Sequence, residues 1–218
     1  MVAVSGEEHS AEHENTVPSR LDGLMAAVRA AGNRGPAPVH LWNPPDCGEM
    51  DLHIKADGSW HYMGSPIGRQ ALVRLFASVL AREGERYVLK TPVEKIGIQV
   101  EDAPFLAVEM ALEDGTDGPV LVFRTNLDDV VRCGPEHPMR FAPGDAPGEF
   151  RPYVMVRHGL EARLTRAAAF DLIAQGEVRD VEGAGMFGIA SGGMFFPIMP
   201  ADELERLAGS DTDASGAA

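Results

Sequence analysis

Residues 41–69, LWNPPDCGEMDLHIKADGSWHYMGSPIGR, constrain the fold more than any other part of this 218-residue chain. They hold both tryptophans, Trp42 and Trp60, and an Asp57-Gly58 turn between two alternating runs. Leu52 and Ile54 alternate with Asp51, His53 and Lys55. Trp60 and Tyr62 alternate with Ser59, His61 and Met63. A period of two marks half-buried strands, so the segment reads as a hairpin. Two loops fit it. A two-residue Asp57-Gly58 turn pairs Ile54 with His61. A three-residue loop with Gly58 left-handed pairs Ile54 with Trp60 and Leu52 with Tyr62. The second register puts all four large apolar side chains on one face and is the one predicted. Its corollary sets His53 opposite His61 on the other face.

A helix is predicted after Gly68, with Leu72, Val73, Phe76, Val79 and Leu80 at helical spacing and Gly84 as its stop. Strands are predicted at 87–89, 96–100, 105–112 and 120–123, the last two joined by the turn-forming tract Asp114-Gly115-Thr116-Asp117-Gly118-Pro119. The stretch 134–152 contains five prolines and three glycines and reads as a boundary or long connection. Strands at 153–156 and 160–164 then flank a turn at Arg157-His158-Gly159. Thr165 caps a helix striped by Ala169, Leu172 and Ile173, with Phe170 adjacent, that ends at Gly176. A last hairpin folds about Ser191-Gly192-Gly193. The order hairpin, helix, strand thus occurs near 50–90 and again near 152–198.

These patterns predict an α+β fold of two related units. Residues 1–17 read as a disordered arm. Residues 18–91 hold an N-terminal helix, capped by Ser19 and ended by Gly32, and the first unit. Residues 92–200 form a strand-rich C-terminal domain, and 201–218 a short helix and disordered tail.

Net charge is −14, of which each tail carries four, leaving −6 on the body. An acidic body without a Lys/Arg-rich run argues against nucleic-acid and membrane-surface partners. Cys47 and Cys133 are too few for a disulfide framework or a zinc cluster, which favours reduced thiols in the cytoplasm. Residues 1–17 lack a basic and an apolar region, so they do not read as a secretory signal, and no apolar run reaches the length of a membrane span.

Candidate chemistry is sparse. Asp51, His53 and His61 could contribute to a divalent-metal set and support a metal-assisted hydrolase as the alternative function. A solvated sheet face explains them more simply, because a metal site needs further positioned ligands. Cys47 has no histidine assigned to it by the sequence, and Ser191 lacks the spacing of a nucleophile elbow. Gly183, Gly185 and Gly188 match a dinucleotide fingerprint in spacing but sit among strand-forming residues. No catalytic residue and no cofactor is assigned. Arg69 at a helix start, and Arg157 and Arg163 flanking the second hairpin turn, are candidates for holding an anion from two sides of a cleft. Trp42 and Asn43, before the rigid Pro44-Pro45, are the interface candidates, whereas Trp60 and Tyr62 read as core.

The combination Trp42-Asn43-Pro44-Pro45, Cys47-Gly48, Asp51, Asp57-Gly58, Trp60, Tyr62, Gly64, Pro66-Ile67 and Arg69 resembles the bacterial family known as domain of unknown function 1285. So do Thr91-Pro92-Val93-Glu94-Lys95, Pro104-Phe105 and the run from Tyr153 to Ala162. The resemblance spans roughly residues 41–198. It implies a two-domain α+β fold built by duplication, with a C-terminal half superficially like pleckstrin-homology folds. It further implies a small anionic or nucleotide-like ligand at the domain interface and a role in signalling. A protein-interaction module without a small ligand is the remaining alternative, with a protein partner in place of the ligand.

Overall fold

The hairpin adopts the predicted register. In the computed structural model, strand β1 (Asp46–Ile54) pairs antiparallel with β2 (Trp60–Tyr62), matching Leu52 with Tyr62, His53 with His61 and Ile54 with Trp60. Gly58 closes the loop at φ +80°, a conformation that suits glycine. The structure describes residues 36–146 and 148–214, together with Gly23, Met25, Ala26 and Val28. These four are helical, and Val28 is fully buried. The rest of the predicted N-terminal helix and the 1–17 arm lie outside the described residues.

After β3 (Ser65–Pro66) comes α1 (Gln70–Ser78), which buries Val73, Phe76 and Ala77 against the first sheet. Phe76 stacks on Trp60 with ring centroids 6.4 Å apart. Burying side chains of this size contributes about 1.5–3 kcal/mol each. The helix stops earlier than predicted. Val79 and Leu80 are buried as expected, but Leu80 opens strand β4 (Leu80–Glu83) and pairs with Leu89 of β5 (Arg86–Lys90). Gly84 therefore turns a hairpin instead of ending a helix. Strand β6 (Lys95–Val100) then returns to lie parallel to β1. The first unit thus runs through Val100, and the expected division at residue 91 is displaced because β6 hydrogen-bonds within the first sheet.

The second unit comprises β7 (Phe105–Gly115), β8 (Gly118–Thr125), β9 (Val130–Arg132), β10 (Met139–Pro143), β11 (Phe150–Arg157) and β12 (Leu160–Leu164). The proline-rich stretch is therefore not a boundary. It contains β10, whose Phe141 and Ala142 pair with Pro152 and Arg151. Pro143 is tolerated in β10 because that is an edge strand.

The duplication is explicit in the strand orders. One sheet runs β4-β5-β6-β1-β2-β3 and the other β10-β11-β12-β7-β8-β9. In each, two three-stranded meanders join through a parallel pair of the unit's first and last strands. The hairpin–helix–strand succession recurs as well. Strands β10 to β12 lead into α2 (Arg166–Ile173) and then into β13 (Glu177–Val181), β14 (Ala184–Ser191) and β15 (Met194–Pro200). That last meander forms a sheet of its own, followed by α3 (Ala201–Ala214), which is longer than the short helix expected. Gly192 and Gly193, both at positive φ, make the two-residue turn between β14 and β15.

One hydrophobic core runs through both units. The β1–β2 turn touches the second unit directly: a Cβ on Gly58 would meet Asn126 Nδ2 and Leu106 Cδ1 at 2.9 Å each. Among the described residues, no helix is long and apolar enough to cross a membrane.

Candidate functional site

The seam between the units is lined with charge. Arg157, at the end of β11, is 14% exposed. Its Nη2 donates to the Ala77 carbonyl in α1 at 3.0 Å, and its guanidinium lies 4.8 Å from the Phe105 ring centroid. Its Nη1 sits 2.9 Å from Asp129 Oδ1 as an ion pair without hydrogen-bond alignment. Beside it, Asp128 pairs with both Arg74 and Arg124. Arg74, Ala77, Leu127, Asp129 and Arg157 surround a cleft of about 320 Å³. Its arginines and aspartates satisfy one another, so the cleft reads as a strut between α1 and the β8–β9 connection.

A second, larger concavity also spans the seam. It encloses about 790 Å³, within the range of small-molecule sites. Asp57 of the first hairpin turn contributes one wall. Leu106, Glu149 to Pro152, Arg163 to Arg166 and the α2 residues Ala169, Phe170 and Ile173 supply the rest. The sequence builds it locally. The Thr165 side chain accepts from the Ala168 amide and caps α2, which fixes where Arg166 begins the helix. Arg163 Nη2 donates to the Ala56 carbonyl at 2.7 Å, and its Nη1 lies 2.8 Å from Asp102 Oδ2. Asp102 also accepts from the Tyr153 hydroxyl at 2.7 Å. Burial pushes the Tyr153 phenol up, and the hydrogen bond to Asp102 adds to the effect. Arg163 thus ties the groove to the turn of the other unit.

The two carboxylates in the groove are occupied by their own turns. Asp57 accepts from the Ser59 hydroxyl and amide, which hold its carboxyl below the usual aspartate range. Glu149 accepts the amides of Asp145 and Ala146, closing the β10–β11 loop. Arg151 pairs with Asp145, which is itself 88% exposed. Among the described residues, Arg166 forms no ion pair. The groove therefore offers one uncommitted cation and one loosely held cation beside apolar walls. Its lining contains no histidine, cysteine or serine, and its one threonine hydroxyl is engaged in capping. This arrangement can hold an anion; it supplies no activated nucleophile.

The arginines proposed from sequence do not share one cleft. Arg163 lines the groove, Arg157 is locked in the strut, and Arg69 stands exposed at the N-cap of α1 beside a shallow depression of about 190 Å³. Trp42 is half-buried against the core and Asn43 is exposed; neither lines any of these cavities. His53 and His61 do face each other, but His53 Nε2 contacts Asp51 at 2.8 Å while His61 Nε2 contacts Ser59 Oγ at 3.0 Å. Among the described residues, no three metal-ligating side chains gather into a possible site. Cys47 is exposed on β1. Cys133 is buried, and that burial pushes its thiol up to about 12. The Ser191 hydroxyl accepts from the Leu121 amide at 2.9 Å and donates to the Cys133 carbonyl at 2.8 Å, pinning the third sheet to the second.

Sequence reasoning missed Arg151, Arg166, Asp102 and Asp129. Arg166 was the most accessible of them, as the residue directly after a helix cap. The aspartates carry no local signal, because their partners lie far away in sequence.

Taken together, two six-stranded sheets of matching topology, with a charged seam and one open groove between them, define a duplicated α+β protein with an inter-unit cavity. The chain belongs to the DUF1285 family. Residues 37–103 match the family's "Domain of unknown function (DUF1285), N-terminal domain", and residues 104–198 match "Protein of unknown function (DUF1285), C-terminal domain". The division between the two falls in the connection from β6 to β7. A crystal structure of a DUF1285 family protein from Silicibacter pomeroyi DSS-3 is 49% identical, with a TM-score of 0.77, covering 84% of this chain and 98% of that one. Another, from Shewanella baltica OS155, is 28% identical with a TM-score of 0.46, covering 57% of this chain and 91% of that one. Among curated proteins, none matches the chain.

Proposed function

We propose that the protein binds a small anion in the groove between its units and acts as a sensor or regulator. The observation that carries this reading is the 790 Å³ groove at the seam, with Arg151, Arg163 and Arg166 set among apolar walls and no nucleophile in its lining. Because Asp57 of the first unit lines the groove and the Arg163–Ala56 bond joins the two units there, an occupant would touch both and bias how they sit. A nucleotide-like ligand, as one class of anion, and a signalling role are finer parts of the proposal that rest on the family resemblance, and a cytoplasmic location rests on the two cysteines and the absence of a secretory-signal pattern in residues 1–17.

Thermal-shift and calorimetric titration with ATP, inorganic phosphate and carboxylates tests it. Arg163→Ala and Arg166→Ala should each weaken a bound anion about 10- to 100-fold, the usual worth of a charge-assisted hydrogen bond. Arg166→Ala is the cleaner variant, since Arg166 holds no structural partner among the described residues. No stabilisation by any anion, or unchanged affinity in both variants, would sink the reading.

A further inference from the structure

The groove sets an uncommitted guanidinium beside a run of apolar helix. Arg163 and Arg166 stand at the start of α2, and from there the wall follows the helix along Ala169, Phe170 and Ile173. Phe170 is 75% exposed and Ile173 44% exposed, though both border a concave surface. Large apolar groups adjacent on one helix face and open to solvent mark a contact surface. From Arg166 to Ile173 the helix rises about 10 Å. That apolar stretch offers hydrocarbon and no hydrogen-bonding edge, so it suits an alkyl chain better than a base and ribose.

We infer that the ligand is a medium-chain acyl anion. Its carboxylate is held by Arg166, with the already bridged Arg163 beside it, and a straight tail of roughly eight carbons lies along Ala169, Phe170 and Ile173. This inference rests on the reading of the groove as an anion site and narrows the class of anion. The charge complementarity rests on the uncommitted Arg166, since Asp57 and Glu149 are held by their own turns.

Calorimetric titration of the full chain with butyrate, hexanoate, octanoate, decanoate and ATP decides it. Affinity should rise about fourfold per added methylene and level off near octanoate, where the tail outruns the helix. Arg166→Ala should lower octanoate affinity at least tenfold. Phe170→Ser should flatten the chain-length dependence. Both residues are exposed, so melting temperatures equal to the parent's confirm that neither variant has lost the fold. Octanoate binding no tighter than butyrate, or a chain-length dependence surviving Phe170→Ser, overturns the acyl assignment. ATP binding lost in Arg166→Ala, without octanoate binding, overturns it while keeping the anion groove. Binding of neither overturns both.

Discussion

The Arg157 guanidinium and the Ala77 carbonyl meet across the seam between the units, Nη2 donating to the oxygen at 3.0 Å over eighty residues of chain. The same guanidinium neutralises Asp129. Removing it would strand a largely buried carboxylate and take the cross-seam donor from the Ala77 carbonyl. Arg157→Ala should therefore cost about 3 kcal/mol in urea melts. A cost below about 1 kcal/mol would mean that water replaces the strut without penalty.

Trp60 is 2% exposed and packs on Phe76, yet its indole N–H has no partner among the described residues. Trp60→Ala should cost roughly 3–5 kcal/mol as a core truncation. Trp60→Phe should cost far less, about 1 kcal/mol, because it removes an unsatisfied buried donor along with the lost area. Equal losses in the two variants would show that the indole N–H, absent from both, and not ring volume, decides the site, and would refute an orphaned donor.

Gly58 and Gly48 share a left-handed backbone, φ +80° and +84°, but only Gly58 abuts a neighbour. Asparagine tolerates such φ values, so Gly48→Asn should be nearly neutral. Gly58→Asn should lose about 2 kcal/mol, because its side chain would displace Leu106 and Asn126 at the seam. Chemical denaturation of the pair separates backbone conformation from inter-unit contact. Matching losses would refute the close approach.

Two buried or bridged groups set opposite pH limits. Lys95, then Lys90, hold the Glu83 carboxyl below the usual glutamate range. Its stabilising contribution is present above that range and should be lost as pH falls through the lowered value. Burial raises the Cys133 thiol from about 9 to about 12. Its contribution is complete below pH 9 and should fade as pH climbs towards 12. At pH 8, a thiol reagent should label exposed Cys47 promptly and Cys133 only on unfolding. Rapid labelling of both in the native protein would contradict the burial.

The β1–β2 register was legible because one face had to hold Leu52, Ile54, Trp60 and Tyr62 together, and a slip by one residue would expose them. The Thr165 cap was legible because capping is a local bond. The end of α1 was not, since Val79 and Leu80 satisfy a helical stripe and a buried strand equally well. Their choice is made by pairing with β5, information that lies elsewhere in the chain. Arg163 lines the groove, while Arg157 lines the other cleft. A sequence shows that an arginine exists, not which distant carboxylate will claim it.

The parallel central pair of each sheet bears on how the chain folds as it is made. β1 finds its place beside β6, and β7 beside β12, so each sheet closes by joining its first strand to its last. Such long-range closure is slow compared with forming the local meanders. During synthesis the first sheet can close once residue 100 is available, before most of the second unit exists. The second is left with β7, carrying Phe105 and Ala107, as an open edge until β12 emerges. That interval is when the nascent chain is most exposed to strand pairing with its neighbours.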